Sequence, residues 1–173
     1  MHTFSSAPRT LRTLGLIAAL TLPTLALSAE KILTVDLELG DGQDDNPMIV
    51  LWLETDQGEF VKTLTLLSQD KKYYNKLKTW WRAQEAGGGT LDGVVGPTLS
   101  FNNAKHLEFP VDGSGAFLSG HMILRIEQGR DHGPSYKKLA IPLAANLTQK
   151  VLTADENKDL GFLKSLTLAV KEK

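Results

Sequence analysis

The sequence predicts a mainly β protein, an antiparallel β-sandwich of immunoglobulin-like or fibronectin-like arrangement with one short helical insertion. Three observations indicate this fold. Seven short segments carry strand patterns, clusters of glycine and aspartate separate them, and a single segment has helical spacing. A small barrel is the alternative arrangement of the same strands.

The first strands follow from alternation of apolar and polar residues. Residues 33–39 alternate strictly, which is typical of a strand with one buried face. Residues 48–54 and 60–67 are strongly apolar, and the hairpin turn Asp56-Gln57-Gly58 lies between them. We therefore expect three consecutive antiparallel strands.

The middle of the chain changes period and then loses it. Within residues 71–84, Tyr73, Leu77, Trp80 and Trp81 recur near helical spacing, so this segment predicts a short helix. Residues 86–97 are rich in glycine and predict a loop without regular structure. Strand patterns return at residues 106–111, 121–128, 137–143 and 163–170.

The N-terminal residues have the features of a cleavable signal peptide. Arg9 and Arg12 precede an apolar run over residues 14–27, and small residues follow at Ser28 and Ala29. The run is shorter than the roughly 20 residues of a membrane-spanning helix. The sequence predicts a signal peptide at 1–29, a single domain at 30–173, a periplasmic location and no membrane insertion after cleavage; an uncleaved anchor is the alternative.

Charge and cysteine content exclude several classes of function. Without Arg9 and Arg12, the 19 basic residues fall to 17 against 20 acidic ones, and this balance argues against a nucleic-acid partner. The chain has no cysteine, which excludes disulfides, thiolate metal sites and iron–sulfur clusters. A redox role would therefore require a bound cofactor.

Motifs of common hydrolases are absent from the sequence. The chain has no Gly-x-Ser-x-Gly elbow, no His-Glu-x-x-His pair and no phosphate-binding loop of the Walker type. His106, His121 and His132 are far apart in sequence, so we predict no metal site. A carrier or binding domain is favoured over a stand-alone catalyst.

Two groups of side chains could contact a ligand. Trp81 and Arg82 combine an aromatic face with a guanidinium that suits phosphate or carboxylate, although packing of the helix also explains the aromatic cluster. Arg130 and His132 lie on a predicted hairpin loop, where binding residues often collect, and turn formation explains the Asp131 and Gly133 beside them.

The glycine-rich segment contains a modification-like pattern. Asp92, Gly96 and Thr98 resemble the motif at which periplasmic flavin transferases join FMN to a threonine or serine hydroxyl through its phosphate. Val95 and Pro97 stand where that motif usually has a hydroxyl residue and alanine. Such chemistry needs an accessible hydroxyl on a chain that can enter another enzyme, which a glycine-rich loop provides. A structural turn between helix and strand is the alternative.

Over nearly the whole mature chain, the sequence resembles the bacterial predicted periplasmic proteins that share domain of unknown function 2271. The resemblance is carried by five segments: Ile49-Val-Leu-Trp-Leu53, Trp80-Trp81-Arg82, residues 92–98, Ile123-Leu-Arg-Ile-Glu127 continuing into Arg130-Asp131-His132-Gly133, and Asn157-Lys-Asp-Leu-Gly161. Asp131 stands where the family usually has glutamate.

The resemblance implies a role in electron transfer outside the cytoplasm. Its implied partners are a flavin transferase and a PepSY-type membrane reductase, and its implied cofactor is covalent FMN. We expect FMN on Thr98, with Asp92 and Gly96 recognised by the transferase and Trp81, Arg82, Arg130 and His132 near the flavin. The alternative function is a non-catalytic β-sandwich that binds a partner protein or small ligand through its loops.

Overall fold

The computed structural model describes residues 31–42, 47–68, 70–91, 94–111, 120–130, 137–144 and 146–173. Within them the chain forms nine strands: β1 (Lys31–Leu39), β2 (Pro47–Thr55), β3 (Phe60–Leu67), β4 (Val95–Gly96), β5 (Ala104–Val111), β6 (Met122–Arg130), β7 (Lys137–Leu143), β8 (Lys150–Thr153) and β9 (Leu163–Glu172). Helix α1 (Lys78–Gly87) follows a 3₁₀ turn at Lys71–Lys76, and a second 3₁₀ turn, Lys158–Leu160, precedes β9.

The strands form two sheets, which confirms the predicted β-sandwich. Sheet 1 has the order β5-β1-β9-β8, and sheet 2 has the order β4-β3-β2-β6-β7. Neighbouring strands are antiparallel except β3 and β4, which are parallel. The prediction of three consecutive antiparallel strands is wrong for β1, because the chain crosses from sheet 1 to sheet 2 before β2.

The core lies between the inner faces of the two sheets. Every second residue of β1 points inward, so Leu33, Val35 and Leu37 are at most 1% exposed. They pack in one cluster with Leu51 of β2 and Ile126 of β6. The alternation in the sequence therefore corresponds to one buried face and one outer face of sheet 1.

A third layer covers the outer face of sheet 2. Leu77 and Trp80, at and beside the start of α1, form a separate buried cluster with Met48, Val50 and Trp52 of β2. Strand β2 is consequently buried on both faces, with only Thr55 partly exposed. Burial on both faces explains why its sequence is continuously apolar rather than alternating.

The start of α1 is fixed by a carboxylate from the sheet. Its N-cap residue, Leu77, has no side-chain hydrogen bond to the helix. Instead the fully buried Glu127 of β6 accepts hydrogen bonds from the backbone N–H groups of Thr79, at 3.1 Å, and Trp80, at 2.8 Å. These are the positions that an N-cap side chain normally serves, and a negative charge there also suits the helix dipole.

The helical and glycine-rich segments differ from the sequence prediction. The predicted helix at 71–84 is a 3₁₀ turn followed by α1, which extends to Gly87 and ends at Gly88 in the left-handed conformation, φ 64°. Residues 86–97 were predicted to lack regular structure, yet Val95 and Gly96 form β4 by pairing with the edge of β3. β8 is also additional to the seven predicted strands.

Among the described residues, no helix is both long and apolar enough to cross a membrane. The predicted signal peptide at 1–29 lies outside the described residues and stays a prediction.

Candidate functional site

Sheet 2 brings Thr98 and Arg130 to the same end of the sandwich. Gly96 of β4 pairs with Leu67 of β3, Leu67 with Ile49 of β2, and Ile49 with Gln128 of β6. Strands β4, β3 and β6 all run in one direction. Because Thr98 and Arg130 each follow this row by two residues, both lie at the same end of the strands, three strand spacings or roughly 14 Å apart.

The Thr98 side chain is half-buried between an anchored residue and exposed neighbours. Leu99, only 8% exposed, packs into the core, while Pro97 and Ser100 are exposed. This short segment leads from sheet 2 to β5 in sheet 1. The chain therefore presents Thr98 at the sandwich end, between the packed side chain of Leu99 and the two-residue strand β4.

Beside this segment is a cleft of about 620 Å³, which we call the basic cleft. The Phe101 ring packs edge-to-face on the Phe162 ring, with centroids 5.8 Å apart, and the Asn102 N–H donates to the Gly40 carbonyl. The side chains that determine its charge and shape are Asp41, Arg130, Lys137, Lys158, Phe162 and Lys164.

A buried amide holds one wall of the basic cleft in place. Gln128 is fully buried; its Nε2 donates to the Leu160 carbonyl at 2.8 Å, and its Oε1 accepts from the Phe162 N–H at 2.8 Å. Gly161 lies between these two residues with φ 66°, and a Cβ there would lie 2.9 Å from both Gln128 Oε1 and Lys137 Cβ. Only glycine fits this close approach.

Arg130 is the last residue of β6 rather than part of a hairpin loop. Its guanidinium lies over the Phe162 ring, 4.8 Å from the centroid, which is a cation–π contact between the charge and the aromatic wall of the cleft. Asp131 and His132, which follow it, lie outside the described residues.

Two of the lysines lining the basic cleft have carboxylate partners at its edges. Lys137 Nζ lies 3.2 Å from Asp159, and Lys164 Nζ lies 2.8 Å from Glu38. The hydrogen bond with Glu38 raises the pKa of Lys164, and the same bond lowers the pKa of Glu38, which Ser165 lowers further. The raised pKa keeps Lys164 charged at neutral pH, and each of the two lysines has a carboxylate partner at the edge of the cleft.

The aromatic residues of α1 lie in another layer. Trp80 is fully buried, and its Nε1 donates to Thr63 Oγ1 of β3 at 2.8 Å, so it attaches the helix to the sheet. Trp81 is half-buried with its ring edge-to-face to Trp80, and Arg82 is exposed. These side chains lie on the outer face of sheet 2, whereas Thr98 and Arg130 lie at its end.

The remaining predicted residues are placed as follows. Gly96 is in β4, and Asp92 lies outside the described residues. His106 interacts with Asp36 and Glu108 on the outer face of sheet 1, and His121 interacts with Asp56 near the opposite end. The described residues contain no group of three His, Asp or Glu side chains suited to a metal ion.

Sequence reasoning missed most of the basic cleft. No sequence motif marks Gln128, Lys137 or Phe162. The cleft is formed by three separate loops and several strand ends, so its residues are far apart in the sequence. One signal was available, because the family resemblance included both the segment that contains Arg130 and the segment that ends at Gly161. The structure brings Arg130 against Phe162, the residue after Gly161.

Comparison with known protein families identifies the family of the chain. The model of the DUF2271 family, described as predicted periplasmic protein, matches residues 31–161. Searches of curated proteins and of solved structures gave no match.

Proposed function

The chain belongs to the DUF2271 family of predicted periplasmic proteins, and we propose that it carries FMN on Thr98 as an accessory protein of electron transfer outside the cytoplasm. The observation that carries this proposal is the position of Thr98. A hydroxyl within a flavinylation-like pattern lies at the sandwich end, between exposed Pro97 and Ser100.

The local structure suits a hydroxyl that another enzyme must reach. Residues 97–100 have no helix or strand pairing of their own, so what has to yield when a transferase engages them is the packing of Leu99 and the partial burial of Thr98. β4 is held to the sheet by two residues at the edge of β3. A strand as short as β4 can detach from the edge of the sheet at low cost in free energy, since few contacts are lost.

The modification is a phosphoryl transfer. In the proposed step, Thr98 Oγ1 would attack the phosphorus of the FMN half of flavin adenine dinucleotide and the phosphoanhydride bond would break. The adenosine monophosphate half would leave, and the hydroxyl proton would pass to a base of the transferase. Asp92 and Gly96 serve as recognition elements for that enzyme. The flavin supplies the redox chemistry, and the protein supplies attachment and local charge.

Proposed neighbours of the flavin fall into two groups. Arg130 lies at the same end as Thr98 and is therefore suited to approach the bound flavin. His132, two residues later in the sequence, is proposed as a neighbour from the sequence alone. Trp81 and Arg82 are on the outer face of sheet 2, and they would meet the ring only if it folded back over that face. A PepSY-type membrane reductase is the proposed electron donor or acceptor.

Flavin fluorescence of the denatured protein tests the attachment site. The full chain is co-expressed with a periplasmic flavin transferase, and bands are viewed under blue light after denaturing electrophoresis. We expect fluorescence in the wild type and in Ser100→Ala, and none in Thr98→Ala. Fluorescence of Thr98→Ala would reject Thr98 as the acceptor, and loss in Ser100→Ala alone would transfer the role to Ser100.

The second candidate function is a binding module without covalent cofactor. The basic cleft favours it, because its size and charge suit a ligand independently of Thr98. A protein that stays unmodified beside a flavinylated control domain, yet binds a ligand at the cleft, would support this function instead.

A further inference from the structure

We propose that the free edge of β5 is an interaction surface at which two copies of this chain pair, so that sheet 1 of one copy continues into sheet 1 of the other. This surface goes beyond the FMN proposal and does not depend on any modification of Thr98. It rests on the direction of the backbone groups of β5, on the order of charges along the strand and on the side chains of its inner face.

Strand β5 is an edge strand of sheet 1. It pairs with β1 over its whole length, in a continuous register without a bulge. Its other side has no strand partner among the described residues. An edge of this kind presents a row of backbone N–H and C=O groups to which another strand can add. The sheet can therefore continue beyond β5.

Two hydrogen bonds show which backbone groups point to the free edge. The Asn103 carbonyl accepts from the Leu39 N–H of β1 at 2.9 Å, so the odd-numbered residues of this segment point to β1. The Pro110 carbonyl accepts from Lys62 Nζ of sheet 2 at 3.5 Å, so the even-numbered residues point away from β1. Both bonds agree with the alternation of a regular antiparallel strand. The N–H groups that face the free edge are those of Ala104, His106 and Glu108.

The charges along this edge are complementary to those of a second copy. His106 and Glu108 both point to the outer face of sheet 1, where the ring Nε2 lies 3.2 Å from the Glu108 carboxylate. Asp36 raises the pKa of His106, which favours the charged ring. When two copies of β5 run antiparallel about Leu107, His106 of each copy lies directly opposite Glu108 of the other. Opposite charges in such cross-strand pairs stabilise a sheet.

The register centred on Leu107 is favoured over its neighbours. Centring the pair on His106 would place two histidine rings opposite each other, and centring it on Glu108 would place two carboxylates opposite each other. Like charges at such positions destabilise a sheet. The favoured register aligns residues 104–110 of both copies. Pro110, which has no N–H, then lies at the end of the ladder, where little hydrogen bonding is lost.

On the inner face, the same register covers apolar surface. Leu107 and Phe109 pack against the core but stay partly exposed. Leu107 lies opposite Leu107 of the second copy in a non-hydrogen-bonded pair, where side chains are closest. The aliphatic stem of Lys105 lies beside Phe109 of the second copy. Lys62 is exposed and its bond to the Pro110 carbonyl is long, so its side chain can leave the edge at little cost.

Sedimentation equilibrium tests whether two copies associate. The full chain is recovered from cells that lack a flavin transferase, so that its mass is unmodified. It is measured from about 5 μM to about 1 mM, and we expect the mass to rise towards that of two chains with a Kd on the order of 100 μM, because a single pair of strands buries a small area.

Charge variants test the pairing of His106 with Glu108. Glu108→Lys places a positive charge opposite His106, and we expect the Kd to rise at least about tenfold. Combining His106→Glu with Glu108→Lys restores opposite charges, and the Kd should return to within about threefold of the wild-type value. Glu85→Lys, which makes the same change of charge at an exposed position of α1, is the matched control and should leave the Kd unchanged.

A single introduced cysteine tests the register, because the chain has none of its own. Leu107→Cys places two thiols directly opposite each other, within reach of a disulfide. We expect a mild oxidant to convert Leu107→Cys into a covalent dimer at least about tenfold faster than Val151→Cys, since pairing raises the effective concentration of the thiols. Val151 is 49% exposed on β8 and serves as the control position.

Each outcome decides the proposal. A mass that stays at one chain over the whole concentration range would overturn it. A dimer whose Kd Glu108→Lys leaves unchanged, or a Leu107→Cys variant that cross-links no faster than Val151→Cys, would also overturn it. A monomer whose β5 amide NMR signals shift with an added peptide of alternating lysine and valine would assign the edge to another protein instead. None of these results depends on whether Thr98 carries FMN.

Discussion

At the scale of single residues, buried polar groups join the layers of the molecule. Glu127 is fully buried on sheet 2 and caps α1 across the interface between the two. Gln128, the next residue, points to the other side and holds the wall of the basic cleft. Adjacent residues of one strand thus position the helix and the cleft.

Replacing Glu127 tests the first of these roles. Glu127→Ala leaves two helix N–H groups without acceptors, and we expect the free energy of unfolding to fall by about 2–3 kcal/mol. Glu85→Ala, at an exposed position of α1, is the control and should change it by less than about 0.5 kcal/mol. Urea denaturation measures both values; equal stabilities would show that Glu127 does not act as a cap.

Gly161 tests the tightness of the cleft wall. Gly161→Ala places a Cβ 2.9 Å from Gln128 Oε1 at a positive φ, whereas Gly58, also at positive φ, has open space around it. We expect Gly161→Ala to lower the free energy of unfolding by at least about 1 kcal/mol more than Gly58→Ala. Urea denaturation measures both variants. Similar losses of unfolding free energy in the two would mean that the cleft wall around Gly161 accommodates the added Cβ easily.

At the scale of elements, α1 is attached to sheet 2 by a chain of hydrogen bonds. Trp80 Nε1 donates to Thr63 Oγ1, Thr63 Oγ1 donates to Gln84 Oε1 at 2.7 Å, and Gln84 Nε2 donates to the Gly89 carbonyl. One threonine of β3 therefore connects the helix, and through Gln84 the start of the glycine-rich segment, to the sheet.

Thr63→Val removes this connection while keeping the shape of the side chain. Two buried groups lose their partner, so we expect the free energy of unfolding to fall by about 1–3 kcal/mol and the amide of Gly88 to exchange faster. Thr167→Val, at a half-buried position of β9, is the control. Unchanged hydrogen exchange in α1 and at Gly88 would contradict the connection.

The elements also show what the sequence could predict. The alternating pattern of β1 and the hairpin between β2 and β3 could be predicted from the sequence, because each reflects local backbone geometry and burial. β4 has only two residues in a glycine-rich segment, and its pairing with β3 depends on a contact distant in sequence. The placement of β1 and β2 in different sheets likewise follows from packing rather than from any local pattern.

At the scale of the whole molecule, the stability of the protein depends on pH through surface ion pairs. Asp36, and to a smaller extent Glu108, raises the pKa of His106 above its ordinary value of 6.5. The folded state therefore binds this proton more tightly than the unfolded state does. Its contribution is complete below pH 6.5 and is lost as the pH rises through the folded pKa.

We consequently expect the urea midpoint to decrease slightly as the pH rises above 6.5. The effect is small because His106 is exposed, and added salt should reduce it. His106→Asn should remove the part of the pH dependence that salt reduces. A midpoint that increases over this range in the wild type but not in His106→Asn would contradict the assigned sign.

Only part of the candidate site could be predicted from the sequence, because the site depends on how the whole chain folds. Thr98 was identified from a local pattern, and Arg130 from its place after a strand. Both residues lie at one end of the sandwich because strands from distant parts of the chain pair with one another. The cleft beside them, which Gln128 and Phe162 help to form, depends on the same pairing. No short motif encodes such an assembly.

The central claim is tested most directly by the intact mass of the protein. The protein is purified from a periplasm that contains an active flavin transferase, and peptide mapping then locates any added mass. We predict that the mass exceeds that of the unmodified chain by one FMN phosphoester, and that the peptide containing Thr98 carries the increase. An unmodified mass, with a flavinylated control domain labelled in the same cells, would contradict the claim that this protein is a flavin carrier.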